Sequence, residues 1–240
     1  MYWHYSGDIW FFVVGALSTL PLVVFAWPRR QLSTIPYFIA GSSLVFLWCV
    51  LAILELLATD LRLIEGIGNA QYIPIPLTCL MWFLFALSFT RRKSWITWKL
   101  ILALVAIPIV TMVLALTNSF HHWMFGPGEL INEGGSFFLV RSYHSWFWVH
   151  TIHCYALVFA GSSLIIAYVI KKGPIYRRQG SVMIIGALIP FVANIFFLGL
   201  KNQFIHLDVT PVAMAFASVF FAWGIFKYRL FDLVPIARST

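Results

Sequence analysis

Glu55, Trp146, Trp148, His150, His153, Asn194 and Asp208 are ionisable, amide or aromatic side chains set in or beside long apolar stretches of a 240-residue chain. Desolvating polar groups is costly, so in apolar surroundings they persist where they have partners or a ligand to meet. Trp146, His150 and His153 are spaced four and three apart, which predicts one shared helix face. Asn194 follows Pro190 by four residues, so its amide is expected near a helix kink. Such groups, converging from separate helices, make a polar and aromatic pocket for a small ligand. Each also has a plainer role. Asn194 can tie two helices together, and Asp208 can charge or cap a helix N-terminus. His150 and His153 can be interfacial residues with wet tips. Glu55 can pair with Arg62, Arg141 or Lys201.

Binding, rather than catalysis, is the chemistry these residues support. The histidines, at 4, 121, 122, 144, 150, 153 and 206, all fall on one side of the apolar stretches. Imidazole suits zinc, copper or nickel, yet His121-His122 diverge on a helix and the His150/His153 pair has no carboxylate in its repeat. No metal site and no cofactor are expected, and a histidine pH response is the stronger option. Cys49, Cys79 and Cys154 lie inside apolar stretches, without disulfide or metal-thiolate spacing. No zinc helix, phosphate-cradling glycine loop or nucleophile elbow is present. A retinal photoreceptor would need a lysine midway along the last span, where none occurs before Lys227.

The elements that must hold these residues are membrane spans. With 61% hydrophobic and 10% charged residues, the chain differs from a soluble domain, in which about 25% are charged. Its net charge of +8 resides in short loops, so topology and anionic headgroups account for it and nucleic acid does not. Helices are predicted at Ile9–Trp27, Pro36–Ala58, Pro74–Thr90, Trp98–Thr117, Trp146–Ile170, Gly180–Leu200 and Pro211–Tyr228, each near the roughly 20 residues that cross a bilayer. Proline in the first turn marks several of these starts, and Pro108 and Pro190 predict kinks. The first stretch lacks a basic leader region and a cleavage site, so it is expected to remain as a helix.

Orientation follows from charge. Thirteen of the sixteen Lys and Arg residues fall in alternate gaps: Arg29 and Arg30; Arg91, Arg92, Lys93 and Lys99; Lys171, Lys172, Arg177 and Arg178; Lys227, Arg229 and Arg238. Loops rich in Lys and Arg stay cytoplasmic. The expected fold is an all-α membrane protein, a seven-transmembrane-helix bundle with the N-terminus outside and the C-terminus cytoplasmic. Within the longest outer gap, Leu130-Ile131 and Phe137–Val140 flank Asn132-Glu133-Gly134-Gly135, which predicts a β-hairpin lid between the fourth and fifth helices.

Several runs occur together in a characteristic order: Phe85-Ala86-Leu87-Ser88-Phe89-Thr90; Leu116-Thr117-Asn118 with His121-His122; Trp146-Phe147-Trp148-Val149-His150; Tyr176-Arg177-Arg178-Gln179; Pro190 with Asn194; Asp208-Val209-Thr210-Pro211; and Tyr228-Arg229-Leu230-Phe231-Asp232-Leu233-Val234-Pro235-Ile236-Ala237-Arg238. From the second helix onward the chain resembles the N-terminal seven-transmembrane sensor region of sensor histidine kinases. The resemblance implies a plasma-membrane receptor: residues 1–228 sense a small molecule from outside or from the membrane, and 229–240 form a cytoplasmic linker. Pro190, Arg229, Asp232 and Pro235 are then relay residues towards a histidine kinase or similar output module beyond Thr240 or on a partner. It also implies a homodimer, for which the small residues Gly161, Ser162 and Ser163 are candidates. The chain itself is expected to be no enzyme. A small-molecule transporter, or a structural membrane protein without ligand, is the alternative; no internal repeat of the transporter kind is seen.

Overall fold

The computed structural model describes residues 4–133, 136–172, 174–200 and 207–227. Nine helices and one hairpin are found among them: α1 (Ile9–Ala26), α2 (Ile35–Leu57), α3 (Leu61–Ala70), α4 (Pro74–Phe89), α5 (Trp98–Leu116), α6 (Asn118–His121), β1 (Glu129–Glu133), β2 (Ser136–Val140), α7 (Ser145–Lys172), α8 (Pro174–Leu200) and α9 (Thr210–Lys227). Pro36, Pro74 and Pro211 all stand at or next to the first helical residue, where a missing N–H leaves no bond unmade. Five helical stretches among the described residues are long and apolar enough to cross a membrane: Ile9–Arg29, Ile35–Leu57, Leu61–Phe89, Trp98–Leu116 and Ser145–Lys171. Ile184–Gly199 and Thr210–Phe220 are apolar but shorter.

The long helices form a ring. α1 packs on α2 and α9, α2 on α4, α4 on α7, α7 on α8, and α8 on α9; α5 lies outside, against α3, α4 and α7. Their outward faces are apolar, with Leu17, Val24, Ile109, Val113 and Phe159 all more than half exposed, as a lipid-facing surface requires. Inside, Ile35, Ala86, Ile165 and Ala222 are fully buried in one cluster. Gly161 belongs to this interior. A Cβ there would meet Trp82 Nε1 at 3.1 Å and Ala86 Cβ at 3.3 Å, while Trp82 Nε1 donates to the Val158 carbonyl at 3.3 Å. The glycine admits the α4–α7 crossing, so it is spent within the chain and is not open to a second copy. Where α4 ends, Arg91 adopts φ 60° and Arg92 N–H bonds back to the Leu87 carbonyl at 2.8 Å, a left-handed closure of the helix terminus.

Two features of the gaps between the long helices depart from expectation or refine it. The gap after α2 holds a helix, α3, which begins at Asp60, whose carboxylate accepts from Leu63 N–H at 3.1 Å. The expected hairpin is present, pairing Glu129 with Val140 and Ile131 with Phe138; Gly134 and Gly135 lie outside the described residues. Phe138 packs against the cluster of Ile9, Phe12, Ala52, Leu56 and Val212, which seats the hairpin on the ends of α1, α2 and α9.

A candidate ligand site beneath the hairpin

Glu55 is near the end of α2, one apolar turn from the loop into α3. Its carboxylate accepts from the Gln71 amide, and the same amide's oxygen accepts from Trp48 Nε1 at 2.9 Å. Trp48 and Glu55 are seven residues apart on α2 and so share a face; Gln71, only 8% exposed, clamps both from the α3–α4 corner. Gly68, buried on α3, makes room for this. A Cβ there would lie 3.2 Å from Glu55 Oε1 and 3.7 Å from Arg141 Nη2. Carboxylate and guanidinium therefore converge on one small spot.

Arg141 enters from the residue after β2. It donates to Asn69 Oδ1 at 2.6 Å, and its guanidinium carbon stands 3.5 Å from the centre of the Phe125 ring, a cation–π arrangement. Burial lowers its pKa from the ordinary value, and the surrounding acidic groups, Tyr72 and Glu55 first among them, push the other way. The Phe125 platform is built by Asn118, which is buried: its Nδ2 donates to the Phe125 carbonyl at 3.0 Å, and its Oδ1 accepts from Met124 N–H and Phe125 N–H, each at 3.1 Å. Tyr143 stacks on Phe147 at 3.7 Å with the rings within 3° of parallel. Burial raises the pKa of its phenol, so the hydroxyl stays protonated.

These groups enclose a cavity of about 110 Å³ lined by Glu55, Gln71, Tyr72, Arg141, Tyr143 and Asp208, with Phe137, Phe138 and Leu139 of β2 closing it. A second cavity of about 100 Å³ lies against it and shares Tyr72, Tyr143, Phe197 and Asp208; His150, Tyr155, Pro190 and Asn194 line it further in. His150 is buried and meets Tyr72 edge-on at 5.3 Å. Asn194 accepts from the Tyr155 hydroxyl at 2.7 Å and donates to Thr210 Oγ1 at 3.2 Å, joining α7, α8 and α9 at the cavity wall. Asp208 Oδ1 accepts from Thr210 N–H at 2.9 Å. It thus caps α9 and borders both cavities at once.

Four of the seven residues expected from the sequence, Glu55, His150, Asn194 and Asp208, are brought together here. The other three are not. The shared helix face expected for Trp146, His150 and His153 divides between two neighbours. Trp146 Nε1 donates to Thr111 Oγ1 on α5 at 3.1 Å, and His153, whose Nε2 is buried without a hydrogen-bond partner among the described residues, lies against the backbone of Leu104. Trp148 is half exposed and edge-on to Tyr143 and Phe147. The physical reason is that α7 packs on α4, α5 and α8 together, so one stripe of its surface straddles two grooves. His121 bonds Thr117 at 3.0 Å and His144 bonds the His122 carbonyl, local roles within the segment between α5 and α7. The described residues hold no group of three or more potential metal ligands. Of the relay residues, Pro190 lies at the cavity wall; Arg229, Asp232 and Pro235 lie outside the described residues, as do Lys201 and His206.

Gln71, Tyr72, Asn118, Arg141, Tyr143 and Tyr155 complete the site and were not singled out from sequence as pocket residues. Arg141 carried a signal, being one of three basic residues in the outer gaps; the tyrosines carried none.

No curated protein matches this chain. The family model described as the N-terminal 7TM region of histidine kinase matches residues 11–235. With the apolar helices above, that match makes the chain a multi-pass protein of the cytoplasmic membrane and a sensor region rather than a catalytic domain. The chain belongs to the family of N-terminal seven-transmembrane sensor regions of histidine kinases.

Proposed function

We propose that this region is the receptor of a signalling protein, that it crosses the membrane seven times with its N-terminus outside, and that a small molecule binding beneath the β1–β2 hairpin sets its output. The observation that carries this is the paired cavity itself, where an acidic side chain from α2, a basic one from the hairpin's end and an amide from α8 are held among aromatic rings. Groups so placed are costly inside a membrane bundle, and a cavity of this kind is the default ligand site. The alternating basic loops supply the orientation, which puts the hairpin outside.

Signalling requires that the ligand bind one packing of the bundle better than another, and a few kcal/mol of difference is enough. Asn194 and Thr210 connect the cavity wall to α9, and Pro190, which has no N–H to give the Gly186 carbonyl, stands in α8 beside it. A ligand pressing on this junction moves α9 against α8, and residues 229–240 carry the change to a cytoplasmic histidine kinase or similar module. The receptor acts as a homodimer.

The test is a reconstituted receptor in which this region drives its kinase module, assayed for autophosphorylation with Glu55→Gln and Asn194→Leu. Either substitution is expected to shift the signal response at least tenfold. If both variants fold and respond as the parent does, the pocket reading is wrong. Solute flux through the purified chain in sealed vesicles would instead assign it to transport.

A further inference from the structure

Beyond the two cavities of the ligand site there is a third, of about 70 Å³, deeper in the bundle between α2, α4, α8 and α9. It shares Cys79, Val158, Ala187, Pro190 and Met214 with the middle cavity. The three therefore adjoin in a row, and their chemistry changes along it. The outer chamber offers Glu55, Arg141, Asp208 and Gln71. The middle one mixes hydroxyl and amide groups with rings such as Phe147 and Phe191. The inner one is walled by Phe38, Val45, Met81, Phe85, Met214 and Ala217.

Five hydroxyl or indole side chains reach the inner chamber, Tyr37, Ser42, Thr78, Trp82 and Ser218, and the last three direct their donors elsewhere. Thr78 Oγ1 donates to the Pro74 carbonyl at 2.8 Å, Ser218 Oγ to the Met214 carbonyl at 3.0 Å, and Trp82 Nε1 to the Val158 carbonyl at 3.3 Å. A cavity so largely apolar in its walls, with few polar groups left to bind water, takes apolar molecules. Glu55 of the outer chamber and Phe38 of the inner one are about 25 Å apart along α2 at the helical rise. That is most of the roughly 30 Å thickness of the hydrocarbon core.

We infer that the ligand is a single-chain amphiphile whose polar head occupies the Glu55–Arg141–Asp208 chamber and whose alkyl chain runs inward past Pro190 into the apolar chamber. This inference rests on the sensor reading above and names the class of its ligand. A head carrying both charge signs suits an outer chamber that itself presents both. A chain passing Pro190 places apolar bulk where α8 lacks one backbone hydrogen bond, and there it can act on the α8–α9 contact. Because the chain lies within the bundle, its length becomes a property that the receptor can discriminate.

Photolabelling of the full chain in lipid nanodiscs tests this with a dodecyl betaine, a zwitterionic head on a single alkyl chain, carrying a diazirine at the chain end. The expected adducts are on Met81 or Met214, displaced by excess unlabelled dodecyl betaine. Filling the inner chamber with Ala217→Phe, or with Met81→Trp should the first variant not fold, is expected to reduce those adducts at least fivefold while lipid-facing adducts at Val24 and Ile109 stay unchanged. Adducts confined to lipid-facing positions, or inner adducts indifferent to both substitutions, overturn the inference. Mass spectrometry of the chain as purified separates the sources: an amphiphile retained by the parent and lost from the filled variants is a resident bilayer lipid, and inner labelling without one marks an incoming signal. The response of the Glu55 and Asn194 variants decides the sensor reading separately, so failure here with loss of response there removes the amphiphile and leaves the pocket.

Discussion

Replacing Glu55 by Gln and Arg141 by Met, singly and together, measures whether the two charges act on one another across the outer cavity. A point one bond from the Gly68 Cα lies 3.2 Å from Glu55 Oε1 and 3.7 Å from Arg141 Nη2. The two atoms are then at most about 7 Å apart, and unit charges at that separation attract by about 2 kcal/mol at an effective dielectric of about 20. Glu55→Gln keeps an acceptor for the Gln71 amide and loses only the charge, so its cost is expected to be about 2 kcal/mol by the same reckoning. Arg141→Met keeps an apolar stem over Phe125 but also forfeits the bond to Asn69, which adds about 2 kcal/mol for a hydrogen bond from a charged donor. Its total is therefore about 4 kcal/mol. Once Arg141 is gone, losing the Glu55 charge costs little more, so the double variant is also expected near 4 kcal/mol, a coupling of about 2 kcal/mol. Unfolding free energies of the four proteins, measured by steric trapping in bicelles, give the coupling directly. Single costs that add to within about 0.5 kcal/mol would refute the idea that these charges share a site.

Further expectations concern the parts that hold the site. Asn118→Ala orphans two buried backbone N–H groups at Met124 and Phe125 and should cost about 3 kcal/mol, with hydrogen exchange at residues 124–126 accelerating as the Phe125 platform loosens. Gly161→Leu overpacks the α4–α7 crossing and should destabilise the monomer by about 1–3 kcal/mol; a variant that loses only dimer, with its monomer stability intact, would return Gly161 to a lipid-facing role. Tyr143 has its pKa raised by burial. That contribution to stability is fully present below the unfolded tyrosine value of about 10 and is lost as pH climbs above it. Alkaline unfolding should therefore begin at higher pH in Tyr143→Phe than in the parent.

Much of the architecture could be read from single residues because membrane physics acts residue by residue. Apolar length marked the helices within a residue or two of where they occur, except that α8 starts at Pro174 and not at Gly180 and so takes in the expected basic loop at 176–179, and first-turn prolines marked three starts. Asn132 to Gly135 between two β-prone runs marked the hairpin. The helix α3 escaped notice because it is short and amphipathic, although Asp60 as its N-cap and the following apolar spacing were available signals. Glu55, His150, Asn194 and Asp208, which line the two cavities, were legible as candidates because a polar group in an apolar stretch stands out whatever surrounds it. Trp146 and His153 face α5 instead of the cavities: helical spacing tells which residues share a face and says nothing about which neighbour covers it.

The sequence by itself determined that this chain lives in a membrane, in which gaps its basic residues gather, and which polar residues its apolar stretches carry. These are consequences of solvation and local geometry, and each is felt by one segment alone. Only the tertiary structure decided what those residues do. It alone brought Arg141 to Glu55 from the far end of the hairpin, set Gln71 between Glu55 and Trp48, stacked Tyr143 on Phe147, and assigned Gly161 to an internal crossing. It also lined up three cavities from a charged outer end to an apolar inner one. Contacts between segments distant in sequence depend on how the helices close into a ring, and no local pattern encodes that closure.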